Sequence, residues 1–323
     1  YGIEKIVFAD GTEWTLDEIL AHTNLTGTSA ADALTGTVYA DNIQGGGGND
    51  TISTGDGDDI LEGGTGADML RGQENSDTYI WSIGGGNDTI DDTSSTSVSL
   101  DKLVLKNVNP GQVVLSHASG SNNLMITIGS EVITVLNRFS NPSNTYGIEV
   151  IEFADGTVWN LDAILANTQM TGTVGSETLT GSGYADNMYG LAGSDTLNGG
   201  NGDDHLVGGT DIDSLVGGNG SDSYVWTKGD GSDTINDGGA SVTELDRLVL
   251  TNVASTEVGS TVSLIRNSGT SEIQLTVTGT SSEVITIKNQ MGNIAESKGI
   301  EVIEFSDGVV WTLEDIQIGR AHV

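Results

Sequence analysis

The chain of 323 residues has no cysteine, which excludes disulfides and thiolate metal sites. A secreted protein without disulfides needs another staple, and metal ions can serve. Basic residues are scarce: 11 Lys and Arg stand against 46 Asp and Glu, for a formal charge of -35. Nucleic-acid binders need basic patches, so this balance argues against that partner class. Self-repulsion on that scale also opposes a compact state unless cations neutralise it. An acidic solvating or disordered chain is one reading of the charge. Against it stand a hydrophobic content of 36% and acids set at fixed offsets instead of in a tail. No apolar run approaches the length of a membrane span. The opening Tyr1-Gly2-Ile3-Glu4-Lys5 is unlike a secretory signal peptide, which fits a fragment of a longer chain or a non-Sec export route. Proline occurs twice and glycine 47 times, a balance suited to loops with positive φ inside a hydrogen-bonded solenoid.

Those glycines recur with a nine-residue period in two runs. Clear copies read Gly45-Gly46-Gly47-Gly48-Asn49-Asp50-Thr51-Ile52, Gly63-Gly64-Thr65-Gly66-Ala67-Asp68-Met69-Leu70 and Gly199-Gly200-Asn201-Gly202-Asp203-Asp204-His205-Leu206. With Gly45 as position one, the position-six acids of the first run are Asp32, Asp41, Asp50, Asp59, Asp68 and Asp77. Those of the second are Glu177, Asp186, Asp195, Asp204, Asp213 and Asp222. Position eight is apolar or Tyr throughout: Leu34, Ile43, Ile52, Leu61, Leu70 and Tyr79, then Leu179, Met188, Leu197, Leu206, Leu215 and Tyr224. A three-residue strand alternates its faces, so position eight points one way while seven and nine point the other. Stacked coils would bury a continuous apolar column.

A longer repeat contains the short one. Tyr1-Gly2-Ile3-Glu4 through Phe8-Ala9-Asp10-Gly11 returns 145 residues on, as Tyr146-Gly147-Ile148-Glu149 through Phe153-Ala154-Asp155-Gly156. It returns again from Gly299 to Gly308. The expected organisation is a closing segment of a preceding unit (1–23), roll 1 (24–92), a β-rich flank (93–168), roll 2 (169–237) and a second β-rich flank (238–323). An opening in mid-unit implies an excerpt from a longer array. Each unit has an Asp-Gly hairpin ending at a Trp (Trp14, Trp159, Trp311). A brief helix follows, with Thr15-Leu16-Asp17-Glu18 as a capping box and Asn160 as an N-cap. Alternation predicts strands at Lys102–Leu105, Leu124–Ile128 and Glu283–Ile287, while 116–123 and 254–261 read as loops. The final Gly319-Arg320-Ala321-His322-Val323 departs from the repeat.

Loops that offer main-chain carbonyls and carboxylates, without His or Cys, favour calcium over transition metals. Magnesium, which resists losing its waters, is the poorer fit. The nonapeptides resemble the RTX (repeats-in-toxin) haemolysin-type calcium-binding repeats of secreted Gram-negative proteins. The segments between resemble the related regions that flank such blocks, on Asp101-Lys102-Leu103-Val104-Leu105 and Ile148-Glu149-Val150-Ile151-Glu152-Phe153. The resemblance implies an all-β fold of two tandem right-handed parallel β-rolls, two nonapeptides to a turn, with β-rich caps and short capping helices. It implies calcium between loops n and n+2, bound by both position-six acids and by carbonyls at positions one and three of one loop and two and four of the other. Transferred here, Gly36, Val38 and Asp41 would face Gly55, Gly57 and Asp59. Gly45, Gly47 and Asp50 would face Gly64, Gly66 and Asp68, and Thr54, Asp56 and Asp59 would face Gln73, Asn75 and Asp77. In the second run Gly181, Gly183 and Asp186 would face Gly200, Gly202 and Asp204. Gly190, Ala192 and Asp195 would face Gly209, Asp211 and Asp213, and Gly199, Asn201 and Asp204 would face Gly218, Gly220 and Asp222. Edge pairs with Asp32 and Glu177 bring the expectation to roughly eight ions. A displaced late copy, Gly84-Gly85-Gly86-Asn87-Asp88 and its partner ending at Asp233, would add a site at each roll's end. Departures from the pattern are Ala30, Tyr39, Tyr184 and Asp211 in place of the position-four glycine, the longer acid Glu177, and Gln73 and Asn75 in the last copy of the first run. This leaves the loops around Asp50, Asp59, Asp68, Asp195, Asp204 and Asp213 the most regular.

The functional expectation is a calcium-folded structural segment of a large type I-secreted protein, adhesin-like, placed outside the cell or on its surface. Its partners would be calcium, neighbouring units of the same long chain and a cell-surface ligand bound elsewhere in the parent. The rival is a calcium-dependent tail of a toxin or secreted hydrolase; a third reading, an ice- or glycan-binding face, needs a uniform ladder that Thr51/Ser53, Ile60/Glu62 and Met69/Arg71 do not form. Catalysis is not expected. His22, His117, His205 and His322 sit in no ligand spacing and read as surface residues, acid pairs such as Asp58-Asp59 are loop positions, and no Ser sits in a Gly-x-Ser-x-Gly elbow. Both prolines follow asparagine, which closes self-processing at an Asp-Pro bond. Trp81 and Trp226 read as caps over the open end of each roll.

Overall fold

The computed structural model describes residues 3–21, 23–92, 99–140, 146–239, 244–266, 271–278, 282–288 and 299–318. The chain forms two compact units, Tyr1–His117 with Asn122–Thr168, and Ala118–Ser121 with Gln169–Val323. Both are all-β rolls of parallel strands.

In the first unit successive nonapeptides alternate between two sheets, so each strand pairs with the one two repeats on. One sheet stacks Asn24–Thr26, Asn42–Gly47, Ile60–Thr65 and Thr78–Trp81 in parallel. The other stacks Ala33–Thr35, Thr51–Asp56 and Met69–Glu74. The register, Ile43 against Leu61 and Ile52 against Leu70, makes two nonapeptides one coil. Position eight is buried from Ile43 to Tyr79, and from Leu179 to Tyr224 in the second unit, while Leu34 at the first edge is half-exposed. The inner strands are longer than three residues. They run for six, because positions one to three of the loop continue the ladder, with Gly46 paired to Gly64 and Gly47 to Thr65.

The rolls do not stop at the last nonapeptide. Lys102–Leu105 lies parallel on Thr78–Trp81, and Val150–Phe153 lies on it in turn. On the opposite sheet Thr89–Ile90 pairs with Met69–Glu74, and Glu131–Val135 follows. Leu124–Ile128 and Val113–Ser116 then complete an antiparallel meander. The apolar column therefore continues as Tyr79, Leu103, Ile151 and as Leu70, Ile90, Val135. The tryptophans are consequently not caps over an open end. Trp81 is an internal rung beneath Leu105, and Trp226 lies likewise beneath Leu250. The second unit repeats this plan, ending in Arg247–Leu250 and Val302–Phe305 on one sheet and Ser282–Ile287 with Ile273–Thr278 and Val262–Arg266 on the other.

The predicted strands at Lys102–Leu105 and Leu124–Ile128 form as expected, and Ser282–Ile287 begins one residue earlier. The segment 254–261 holds a 3-10 turn at Ser255–Glu257. The Asp-Gly hairpins are alike three times over. Asp10, Asp155 and Asp307 each accept from the amide two residues on, and Phe8–Trp14, Phe153–Trp159 and Phe305–Trp311 stack edge to face at 4.7–4.9 Å. Helix capping follows the sequence: Thr15 and Glu18 exchange hydrogen bonds, and Asn160 accepts from the Ala163 amide at 3.0 Å.

Candidate metal centres

The position-six acids form two files along each roll, spaced by the coil. In one file the Asp32 amide donates to Asp50 Oδ1 at 2.8 Å, the Asp50 amide to Asp68 and the Asp68 amide to Asp88. In the other, the Asp41, Asp59 and Asp77 amides donate to Asp59, Asp77 and Asp101. The second unit repeats both files, from Glu177 through Asp195 and Asp213 to Asp233, and from Asp186 through Asp204 and Asp222 to Asp246. One carboxylate oxygen is thus engaged by the main chain one coil below.

The other oxygen separates inner loops from edge loops. Oδ2 of Asp50, Asp59, Asp68 and Asp77, and of Asp195, Asp204, Asp213 and Asp222, is buried without a hydrogen-bond partner. Each orphan costs the desolvation of a charged acceptor. At the edges the demand is met from within the loop. The amide and hydroxyl of Thr28 donate to Asp32 Oδ2 at 2.6 and 2.8 Å, and Thr37 does the same for Asp41 at 2.6 and 3.0 Å. Ser182 serves Asp186 and Thr173 serves Glu177. Position two carries the difference: it is Thr or Ser in these four loops and Gly, Leu or Gln in the inner ones.

Except for Asp59, whose loop has Thr54 at position one, each orphan oxygen lies against a position-one glycine that leaves space beside it. A Cβ built on Gly45 would collide with Asp50 Oδ2 and the Gly63 carbonyl, and one on Gly190 with Asp195 Oδ2 and the Gly208 carbonyl. Gly199 likewise stands against Asp204 Oδ2 and the Gly217 carbonyl. An aspartate of loop n therefore meets the position-one carbonyl of loop n+2. Other residues of the transferred ligand set line up in register instead: Gly55 with Gln73, Asp56 with Glu74, Leu191 with Gly209, Ala192 with Thr210, Gly200 with Gly218 and Asn201 with Asn219. Position-four glycines stack closely, so a Cβ on Gly66 would meet the Gly48 carbonyl and one on Gly220 the Gly202 carbonyl, while Gly57 and Gly202 lie against the main chain of Tyr39 and Tyr184. The Val38 side chain points outward, and Thr54 is buried with its hydroxyl on the Gly72 carbonyl at 3.1 Å. Where glycine is missing from inner copies, the backbone still adopts positive φ, at Gln73, Asn75, Leu191 and Asp211.

Burial, helped by neighbouring carboxylates, drives several of the inner acids far above the ordinary carboxylate range. It raises Asp59 to about 6, Asp77 to about 8, Asp204 to about 9 and Asp222 to about 7. Burial first, then Asp68 or Asp213, raises Asp88 and Asp233 to about 7. Asp32, capped by Thr28, is instead held below the usual value. Oxygen-only donors, orphaned carboxylate atoms and spaces kept by glycine together fit a hard divalent cation.

Sequence reasoning missed the acids beyond the nonapeptides. Asp101 and Asp246 extend the files, and Glu149 and Glu301 cap them by accepting from the Asp101 and Asp246 amides at 2.9 and 2.8 Å. Asp77, Asp92 and Asp101 bring ligand-type atoms within 4.8 Å of one another, as do Asp222, Asp237 and Asp246. The available signal was the 145-residue offset that all three share with their counterparts. The histidines need one correction. His117 is buried, its ring 4.9 Å from that of Phe139, and His205 is half-buried beside Tyr189. His22 and His322 lie outside the described residues. Among the described residues no helix is long and apolar enough to cross a membrane.

Among solved structures the chain is similar to the extracellular lipase LipA from Serratia marcescens, at 16% identity and a TM-score of 0.30, covering 91% of this chain and 43% of the lipase. It is also similar to the AlgE6R3 subunit from the Azotobacter vinelandii mannuronan C5-epimerase, at 21% identity and a TM-score of 0.27, covering 35% of this chain and 72% of that one. The chain thus spans less than half of the lipase's length. No curated protein sequence matches it. The RTX calcium-binding nonapeptide repeat matches residues 26–61, 35–70, 53–80, 171–206 and 199–225. The haemolysin-type calcium binding protein related domain matches 1–18, 123–163 and 273–315. Two nonapeptide blocks set among three such related segments place the chain in the family of RTX haemolysin-type calcium-binding repeat proteins.

Proposed function

We propose that the chain is a structural segment that folds only when calcium enters its loops, and that it serves as an extender in a large, type I-secreted, adhesin-like protein outside a Gram-negative cell. The observation that carries this reading is the set of buried, unpartnered Oδ2 atoms along each roll. A thin column of one apolar residue per nonapeptide is asked to hold these carboxylates together, and it cannot do so while they repel one another. Calcium between loops would supply the missing charge. Pairs in which both acids carry an orphan oxygen (Asp50 with Asp68, Asp59 with Asp77, Asp195 with Asp213, Asp204 with Asp222) are the strongest sites, with the transferred carbonyls completing each shell. Pairs that include Asp32, Asp41, Glu177 or Asp186 are weaker, because a Thr or Ser already serves one acid. Extracellular modules bind calcium at roughly 10⁻⁴–10⁻³ M. Such sites stay empty in a cytosol poor in calcium and fill after export, so the chain would travel unfolded.

Tandem units with the same parts in the same order favour an extender over the single tail of a toxin or hydrolase. The test is a calcium titration of the EDTA-stripped chain, followed by far-UV circular dichroism and calorimetric ion counting. A cooperative coil-to-strand transition near millimolar calcium, with several ions per unit, is expected. At pH 8, a chain that is already folded without calcium would sink the reading.

A further inference from the structure

We propose that Asp77, Asp92 and Asp101 form a divalent-cation site where the first roll passes into its flank, adjoining the last loop site through the shared carboxylate of Asp77, and that Asp222, Asp237 and Asp246 form its counterpart in the second unit. Asp92 is the reason to look beyond the loops. It occupies no position-six place, since it follows the strand Thr89–Ile90, yet it is completely buried. Its Oδ2 accepts from the Tyr79 phenol at 3.0 Å, and its Oδ1 has no partner. Asp77 and Asp101 each spend Oδ1 on a main-chain amide and leave a buried Oδ2 unpaired. Three carboxylates from three segments thus contribute one unsatisfied oxygen each, in a space that brings their ligand atoms within 4.8 Å of one another.

The last nonapeptide is built to hold this arrangement. Position eight, aliphatic or Met in the other copies, is Tyr in both final copies. Tyr79 accepts from the Gly72 amide at 2.8 Å and donates to Asp92, while Tyr224 accepts from Gly217 at 2.8 Å and donates to Asp237 at 3.0 Å. The phenol fixes the extra carboxylate beside the file without neutralising it. Among the described residues the cation that stands near the first cluster is Arg138, whose Nη1 lies 4.0 Å from Glu149 Oε1. Set against Asp77, Asp92, Asp101 and Glu149, it leaves a large negative excess. In the second unit Asp222 keeps an orphan Oδ2, while Asp237 accepts from the Tyr224 phenol on Oδ1 and from the Gly239 amide on Oδ2, so this cluster is the better satisfied of the two; Glu244 and Glu301 add further negative charge. The competing solution is protonation, for which burial raises Asp92 to about 9 and Asp77 to about 8. One proton can join only two of the three oxygens. A hard divalent ion of the calcium class satisfies all three, and an oxygen-only donor set selects it.

The inference rests on the calcium reading only for the identity of the ion, and the experiment separates the two. Long-wavelength anomalous difference maps from calcium-loaded crystals of the unaltered chain should show a peak between the three carboxylates in each unit. Peaks in the loops with none at the triads would overturn the triad sites alone; peaks nowhere would overturn the loop reading as well. In solution, the double variant Asp92→Asn/Asp237→Asn keeps an oxygen acceptor for each tyrosine. Calorimetry should count two fewer ions for it than for the parent chain, with the loop ions retained. An unchanged count would refute the proposal.

Discussion

Thr28 and Thr37 each donate twice to the aspartate four residues on, whereas Gly46 and Gly64, at the same place in their loops, have no side chain to donate. A single position therefore sets whether a loop aspartate is satisfied by the protein or waits for an ion. Asp204→Asn should weaken calcium binding at its site by about tenfold or more, since ligand charge tunes such sites over decades. Asp32→Asn should leave the titration within about twofold, because Thr28 already engages its Oδ2. Equal effects of the two variants, measured by calorimetry, would contradict this division. Glycine acts at the same scale for a different reason. Gly64 has φ +102, and a Cβ there would run into the Gly46 carbonyl one coil below. Gly64→Ala should cost about 1–3 kcal/mol in denaturant melts of the calcium-loaded chain. The alternation of apolar and polar positions and the period of the acids were legible residue by residue. The internal caps at Thr28, Thr37, Thr173 and Ser182 were not, since only the folded loop brings position two back to position six.

At the scale of the strand, each nonapeptide contributes one inward residue at position eight and, where position one is glycine, one space there. Ile52 lies between Leu34 and Leu70 in its sheet and is completely buried. Ile52→Ala should destabilise the calcium-loaded roll by about 2–5 kcal/mol, as expected for a truncated core aliphatic. A loss under 1 kcal/mol by chemical denaturation would mean that the column is not the core. The flanking strands show why pattern alone falls short. Lys102–Leu105 was readable from its alternation, but its seat on Thr78–Trp81 was not. The step from Asp77 to Asp101 is 24 residues and that from Asp59 to Asp77 is 18, so the period that announces the coils is lost while the coils themselves continue. Reading Trp81 as a cap followed from that lost period.

For the whole chain the balance is between a charge of -35 and the ions or protons that offset it. In the metal-free roll the buried acids have pKa values raised from 3.8 to about 6 at Asp59, 8 at Asp77 and 9 at Asp204. A carboxyl group whose folded value lies above its unfolded one stabilises the fold fully below the unfolded value. That contribution is lost as pH rises through the folded value. The calcium-free chain should therefore hold more strand structure at pH 5 than at pH 8 by circular dichroism. Calcium and protons compete for the same oxygens, so the calcium midpoint should rise as pH falls from 9 to 6. A midpoint that is flat over this range would mean that the orphan carboxylates are not the ligands.

The sequence by itself determined the nine-residue period, the inward column and the acid at each loop, because all of these repeat at a short fixed spacing that side-chain alternation translates directly into structure, while the two-nonapeptide turn was implied by the resemblance to the RTX repeats. It also determined the ion class, since only oxygen donors stand in the loops. The tertiary structure alone decided which carboxylate oxygens remain without a partner and how far each acid file runs. It also drew Asp92 and Asp237, through Tyr79 and Tyr224, beside the ends of those files. These outcomes depend on residues 13 to 55 positions apart meeting in space, and no local spacing encodes such a meeting.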